Sequence, residues 1–271
     1  MLNGITIGQY FPGDSLLHRL DPRVKLVLTF AYIVAVFIPQ NWVGLALAVV
    51  FLIFSVAVSR LPLKLVFKSV KPIIPLILFT SALNIFYVDK GTTLIQWGFL
   101  HITTQGLITA AFIAIRILCL IAGSSLLTYT TSPTTLTDAL ERLMKPLKVV
   151  HLNVHELAMM MTIALRFIPT LVEETDKIMS AQKARGADME SGGLMQRVRA
   201  LIPILIPLFV SSFRRAYELA TAMECRCYRG GDGRTRMKQL HMQARDFACI
   251  AVTAVLIGGL IALNFLLPKV L

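Results

Sequence analysis

Two arginine-centred tripeptides are the part of this sequence best suited to specific recognition. Each places an arginine between two small residues at the end of a long helical pattern: Ala184-Arg185-Gly186 and Cys225-Arg226-Cys227. A guanidinium presents five N–H donors in a planar fork that matches a carboxylate, and small neighbours let another backbone approach closely. A single such site would reflect only the preference of cations for helix C-termini. The matched pair instead favours a repeated docking tip.

Metal, phosphate and catalytic sites have weaker support. His151 and His155 have helical i, i+4 spacing and Cys225-x-Cys227 adds two thiols, but zinc sites need three or four converging ligands. The glycine-rich run 229–234 follows a helix and lacks Gly-Lys-Ser/Thr, which indicates a turn instead of a phosphate-binding loop. The sequence contains no recognisable Ser/His/Asp or Cys/His set. We therefore predict no catalytic residue, no metal and no cofactor bound by this chain.

Arg116 is a charged residue inside an apolar run. An ionisable residue within a membrane span is a functional candidate by default. The alternative is that its long side chain reaches out of an oblique helix towards the membrane surface. The sequence leaves open whether Arg116 faces a partner or the surface.

Two long amphipathic helices are predicted to carry the tripeptides. Apolar residues recur at helical spacing in the preceding segments, 157–179 and 198–223. Each helix would be roughly 45–50 Å long at 1.5 Å per residue. Asn153 followed by Glu156 indicates a capping box at the start of the first helix. Glycines predict where the two helices end, at Gly186 and at Gly230-Gly231.

The remainder of the chain has the composition of a membrane protein. Of its 271 residues 56% are hydrophobic and 15% are charged, with a mean hydropathy of +0.70. Soluble domains have about 25% charged residues. Apolar runs predict five membrane spans, at about 24–38, 42–59, 72–87, 106–130 and 248–267. The four cysteines form no secreted disulfide pattern, so we expect reduced thiols.

The distribution of lysine and arginine predicts the orientation. If the N-terminus is cytoplasmic, the short basic segments 19–25 and 60–71 are inside, and only Lys90 and Lys269 are outside. The fold class is then an all-α polytopic membrane protein with about five spans. The predicted domains are spans 1–4 with an N-terminal lead-in (1–130), a cytoplasmic coupling domain of long helices (131–246) and a last span (247–271). A count of seven spans, with both long helices crossing the membrane, is the competing interpretation.

The sequence resembles a known family along essentially its whole length. The resemblance rests on the two tripeptides, on Glu224 to Gly231, and on the N-terminal motif Tyr10-x-Pro12-Gly13-x-Ser15-x-Leu17-His18-Arg19-Leu20-Asp21-Pro22-Arg23-x-Lys25. The sequence is similar to EcfT, the transmembrane T component of energy-coupling factor (ECF) transporters, which are a branch of the ABC importers. The resemblance assigns no role to Pro12, Gly13, Ser15, His18, Arg19, Asp21 and Pro22.

The resemblance implies a non-catalytic coupling subunit in a bacterial or archaeal cytoplasmic membrane. The tips Ala184-Arg185-Gly186 and Cys225-Arg226-Cys227 would insert into grooves on two ABC ATPase subunits, which bind the ATP. A membrane-embedded S component would bind a vitamin or a metal ion. The implied partners are these proteins and the lipid bilayer, without nucleic acid.

The second tip departs from the family pattern at one position. Cys227 stands where such proteins commonly have glycine. Cysteine is small, so docking is expected to survive. A helix that continues one more turn to Gly230 would change how Arg226 is presented.

Three other functions fit the sequence less well than the coupling role. A conventional ABC permease would bind and translocate the substrate itself, but two tips in one chain disfavour it. An intramembrane enzyme would need catalytic residues that the sequence does not show. A membrane-anchored nucleic-acid binder would use the basic segment 142–245, whose striped faces are too apolar for that role.

Overall fold

A hydrophobic helical architecture follows directly from the apolar runs. The computed structural model describes residues 10–87, 92–97, 100–150, 153–187, 193–231 and 240–268. Within these ranges the α-helices are α1 (Pro22–Phe37), α2 (Trp42–Ser59), α3 (Leu63–Val70), α4 (Ile74–Tyr87), α5 (Thr104–Thr130), α6 (Pro133–Met144), α7 (Val154–Ala184), α8 (Leu194–Cys225) and α9 (Ala244–Leu266). Two 3₁₀ helices lie at Lys71–Ile73 and Lys145–Val150, and two short strands form a hairpin, β1 (Thr93–Trp97) and β2 (Leu100–Thr103).

The prediction of an all-α membrane protein is confirmed. Each of the five predicted spans coincides with a helix, namely α1, α2, α4, α5 and α9. Six helical segments in the described residues are long and apolar enough to cross a membrane: α2, the continuous run of α3 and α4, α5, α7, most of α8, and α9. Helix α1 is shorter, with 16 residues. The long helices α7 and α8 pass this test with the lowest mean hydropathy of the six, so length and composition alone do not distinguish them from spans.

The β-hairpin is not among the predicted elements. Its strands have five and four residues and pair antiparallel, with Thr93 opposite Thr103 and Trp97 opposite Leu100. Strands this short contain too few residues for the alternation of apolar and polar side chains to be recognised. The hairpin leads directly into α5, whose first turn is capped by the Thr103 hydroxyl accepting from the Gly106 N–H at 3.0 Å.

The described residues form two compact units. One contains residues 10–139 and 240–268, and the other contains residues 140–231. The first unit has a core where α1, α2, α5 and α9 meet, made of Tyr32, Ala35, Val36, Ala48, Cys119, Leu256 and Leu260. Small residues in this core allow close helix packing, as is typical of helix bundles in membranes. The domain boundaries proposed from the sequence stay a prediction.

The second unit is built on α7 and α8. They contain 31 and 32 residues, so each is about 47 Å long. Asn153 is the N-cap of α7 as predicted, but its side chain caps no backbone N–H. Its amide instead donates to Glu156 at 3.2 Å, so the reciprocal capping box is not formed. Helix α8 ends at Cys225, and the prediction that it runs to Gly230 is wrong.

Candidate functional site

The two arginine tips lie at opposite ends of an antiparallel helix pair. The Arg215 guanidinium donates to the Glu174 carboxylate at 2.7 Å, and the Gln182 amide donates to the Pro203 carbonyl at 3.4 Å. Later positions on α7 therefore meet earlier positions on α8, which is the order that antiparallel helices give. These contacts place Arg226 about 24 helical residues from the level of Arg185, so the C-terminal tips of α7 and α8 are separated by roughly 35 Å.

The tip of α7 is closed by a glycine in the left-handed region. Gly186 has φ +86°, and its N–H donates to the Lys183 carbonyl at 3.0 Å. The next N–H, of Ala187, donates to the Gln182 carbonyl at 3.0 Å. These two bonds form a Schellman motif, which satisfies carbonyl groups that the last helical turn leaves without partners. Arg185 is the last residue before this reversal.

The tip of α8 repeats this arrangement without a glycine. Cys227 has φ +54°, and its N–H donates to the Glu224 carbonyl at 2.8 Å. The Tyr228 N–H donates to the Met223 carbonyl at 3.0 Å, which completes a second Schellman motif. The helix therefore ends before Gly230, because Cys227 adopts the left-handed conformation that glycine adopts in the first tip. The hydrogen bonds outweigh the cost of about 1–2 kcal/mol for a side chain in this region.

Both arginines are consequently presented in the same way. Arg185 has φ −84° and ψ 3°, and Arg226 has φ −93° and ψ 15°. Both side chains are exposed, as are the residues on either side of each arginine. Among the residues that the structure describes, neither guanidinium makes a hydrogen bond or an ion pair. Two exposed, unpaired guanidinium groups with small neighbours are geometrically suited to enter acidic grooves on other proteins.

The strained cysteine leads to a prediction about stability. Replacing Cys227 with glycine should stabilise the second tip by up to about 1 kcal/mol, since glycine adopts positive φ without steric cost. The matched change Gly186→Ala should destabilise the first tip by about 1 kcal/mol for the opposite reason. Melting of the purified chain in detergent measures both. A lower melting temperature for Cys227→Gly would contradict the left-handed conformation at this position.

The first half of the N-terminal motif forms a compact turn that is held by side-chain hydrogen bonds. The His18 Nε2–H donates to the Phe11 carbonyl at 3.0 Å, because a carbonyl can only accept. In neutral His18 the other ring nitrogen, Nδ1, therefore accepts from the Ser15 hydroxyl at 2.6 Å. A Cβ at Gly13 would lie 3.0 Å from the His18 ring, so glycine lets the backbone approach closely. Of the other motif residues, Pro12 is exposed and Arg19 lies 3.7 Å from Asp14 in an exposed pair.

The second half of the motif joins three helices. Asp21 caps α1 ahead of Pro22 by accepting from the Arg23 N–H at 2.9 Å, and it also pairs with the Arg23 guanidinium at 2.8 Å. The Asp21 N–H donates to the buried Asp246 carboxylate at 2.8 Å, which connects the starts of α1 and α9. The Lys25 ammonium donates to the carbonyls of His18 at 3.1 Å and Thr130 at 2.9 Å, which adds the end of α5.

The importance of Asp246 is not predicted by the sequence. It is 1% exposed and lies 225 positions from its partner Asp21. One signal was available: Asp246 is a lone carboxylate in the first turn of a strongly apolar helix. A carboxylate at this position favours the positive end of the helix dipole. The sequence alone does not show that Asp246 also accepts a hydrogen bond from the backbone N–H of Asp21.

Arg116 interacts with the loop between α1 and α2. Its Nη2 donates to the Pro39 carbonyl, and its guanidinium carbon lies 4.9 Å from the Phe112 ring centroid and 5.9 Å from that of Phe37. The side chain thus reaches from α5 to a carbonyl just beyond the end of α1. Whether Arg116 faces a partner or the membrane surface stays a prediction.

The candidate metal ligands that the structure describes form no metal-binding group. His151 lies outside the described residues. His155 Nδ1 lies 3.0 Å from a Glu141 carboxylate oxygen, and Cys225 and Cys227 are exposed free thiols. No group of three or more potential ligands occurs in the described ranges.

Comparisons with known proteins agree with one another over most of the chain. A family model described as cobalt transport protein matches residues 13–237, a range that contains both arginine tripeptides. Three relatives carry the name energy-coupling factor transporter transmembrane protein EcfT. The protein from Clostridium kluyveri is 56% identical over 258 residues, which is 95% of this chain and 96% of its own length. Those from Ruminiclostridium cellulolyticum and Bacillus subtilis are 52% and 48% identical over 265 and 256 residues, covering 98% and 94% of this chain and 99% and 97% of their own.

Proposed function

Since the chain belongs to the EcfT family of energy-coupling factor transporter transmembrane proteins, we propose that it couples two ABC ATPase subunits to a substrate-binding S component. ATP-driven movement of the ATPases would displace the tips of α7 and α8. The helices would carry this displacement to the membrane unit and its partner. Family membership makes the chain a membrane component of a transporter, and the identity of each partner is part of the proposal.

One observation carries this function: the two exposed arginines have the same backbone geometry at opposite ends of one helix pair. Two equivalent contacts roughly 35 Å apart along the helix pair suit two ATPase subunits that lie side by side. The arginines would form charge-assisted hydrogen bonds with carboxylates of these subunits. In this proposal the chain itself binds neither ATP nor a metal cofactor, and its role is mechanical.

A second interaction surface is supported by the exposed apolar residues of α8. They extend over the first three-quarters of the helix: Met195, Val198, Leu201, Leu205, Phe209, Phe213 and Tyr217. A continuous apolar stripe of this length marks an interaction with a protein or with lipid. We assign it to the S component, whose cargo would be a vitamin or a metal ion. The basic segments 19–25 and 60–71 support a cytoplasmic N-terminus and a cytoplasmic coupling unit in a multi-pass membrane protein.

A conventional ABC permease is the alternative. It would translocate substrate without any additional binding protein. Transport by purified chain and ATPase subunits alone, reconstituted in liposomes without an S component, would favour the permease. Transport that requires the S component supports the coupling role.

The native cysteines give a direct test of docking at the second tip. Cys225 and Cys227 are exposed, whereas Cys119 is buried. In a chain that retains Cys225 as its only cysteine, we expect maleimide labelling to slow at least about tenfold when ATPase subunits are bound. The control is Glu173→Cys in a cysteine-free chain, since position 173 is exposed near the middle of α7. Equal labelling of Cys225 with and without bound ATPase subunits would contradict docking at this tip.

A further inference from the structure

The segment that follows the second tip folds back onto the start of α7. The Gly231 backbone lies against the His155 ring so closely that a Cβ at Gly231 would be 2.2 Å from Cδ2 and 2.7 Å from Cγ of that ring. Such distances lie far inside van der Waals contact between carbon atoms. Glycine is therefore required here by space, and not by its backbone angles.

The His155 ring is held from its other side by a carboxylate. Nδ1 lies 3.0 Å from Glu141 Oε1, and an ionised carboxylate can only accept, so Nδ1 carries the proton. Both side chains are more buried than exposed, at 34% exposure for His155 and 15% for Glu141. His155 Nε2 is buried and has no hydrogen-bond partner in the described part of the chain. The ring is thus fixed between Glu141 and the backbone of Gly231.

These contacts connect the second tip to α6. Gly231 is five positions after Arg226, and Glu141 lies in the last turn of α6, which follows the long helix α5 after Thr131 and Ser132. In the described residues around the first tip, Gly186 and Gly193 make no corresponding contact. A Cβ at Gly186 or Gly193 would meet no atom within 4 Å. The two tips are equivalent in backbone geometry and different in how they are anchored.

We propose that Gly231, His155 and Glu141 form a joint that positions the second tip and transmits its movement to α6. This inference rests on the proposed docking function. His155 and Gly231 act as positioning residues, because neither belongs to the docking tripeptide. Movement of an ATPase bound at Arg226 would reach α6 through the His155 ring, whereas movement at Arg185 would travel through the length of α7.

The test uses the complete complex in liposomes and measures ATPase binding, ATP hydrolysis and transport separately. Gly231→Ala should leave the ATPase subunits bound and should lower the number of substrate molecules transported per ATP by roughly 3- to 30-fold, the range by which residues outside binding sites change coupling. His155→Ala removes the ring that connects Gly231 to Glu141 and should cause a loss in the same range. The double variant should lose no more than about the larger single loss, because both changes break the same joint. Gly193→Ala is the matched control and should transport normally, since its methyl group meets no atom.

The outcomes separate this joint from the docking proposal. Normal transport per ATP by His155→Ala would overturn the joint, and so would losses that multiply in the double variant. If Gly231→Ala releases the ATPase subunits, His155→Ala alone decides the matter: bound ATPase subunits with lowered transport per ATP support the joint, and normal transport overturns it. If Arg226→Glu leaves binding and transport intact, the docking function itself fails, whatever the result at Gly231.

Discussion

Charge reversal at a helix tip should weaken binding of the ATPase subunits at least about 30-fold and abolish coupled transport. Arg185→Glu and Arg226→Glu each replace an exposed cation with an anion where we propose that carboxylates of the ATPase subunits lie. Removing one partner of a hydrogen-bonded charge pair at an interface costs about 2–5 kcal/mol, and the introduced glutamate adds repulsion. Affinity of the purified chain for the ATPase subunits, followed by transport in liposomes, measures the effect.

The control for charge reversal is Arg214→Glu. Arg214 is also an exposed arginine, and it lies on α8 away from both tips. We expect this variant to bind and transport like the original chain. All three variants should insert in the membrane at normal levels, because exposed side chains contribute little to folding. Normal copurification with ATPase subunits and normal transport by both tip variants would show that the tips are not docking sites.

Loss of the Asp246 carboxylate should have the largest effect on stability. Asp246 accepts from the Asp21 N–H at 2.8 Å and from the Gln243 N–H at 2.7 Å while it is 1% exposed. Asp246→Ala leaves the buried Asp21 N–H without an acceptor, at a cost of about 1–3 kcal/mol, and also removes the N-terminal hydrogen bond to the partly buried Gln243 N–H. We expect the melting temperature of the purified chain in detergent to fall by roughly 5–15 °C. Asp246→Asn keeps one acceptor oxygen and should lose about half as much.

Asp14→Ala is the matched control for this substitution. The Asp14 side chain is 92% exposed, and its pair with Arg19 has a separation of 3.7 Å. Exposed ion pairs contribute about 0–1 kcal/mol, so its melting temperature should change little. If Asp246→Ala and Asp14→Ala have the same melting temperature, the link between α1 and α9 does not stabilise the fold.

Features that depend on neighbouring residues were predictable from the sequence. The spans, the start of α6 at Pro133 and the end of α7 at Gly186 follow from apolar periodicity, from proline at the first helical position and from glycine past a helix end. The end of α8 was wrongly predicted because the prediction placed it at the next glycine, Gly230. Glycine is the residue expected at positive φ, and Cys227 adopts that conformation because of the hydrogen bonds of its motif.

Features that depend on distant residues were not predictable. The N-terminal motif was recognisable by residue type, but its link to α9 joins Asp21 with Asp246 across most of the chain. The contact of His155 with Gly231 likewise requires α7 and α8 to be antiparallel, which neither amphipathic pattern indicates. Both arginine tripeptides were recognisable in the sequence, whereas their matching backbone geometry became visible only in the structure.

The most direct test of the coupling role is the mass of the intact assembly released from membranes with mild detergent. We expect one copy of this chain to be found with two ABC ATPase subunits and one small membrane protein that binds substrate. Native mass spectrometry resolves each of these subunits and its copy number. Recovery of the chain in an assembly that contains no ATPase subunit would contradict the proposal.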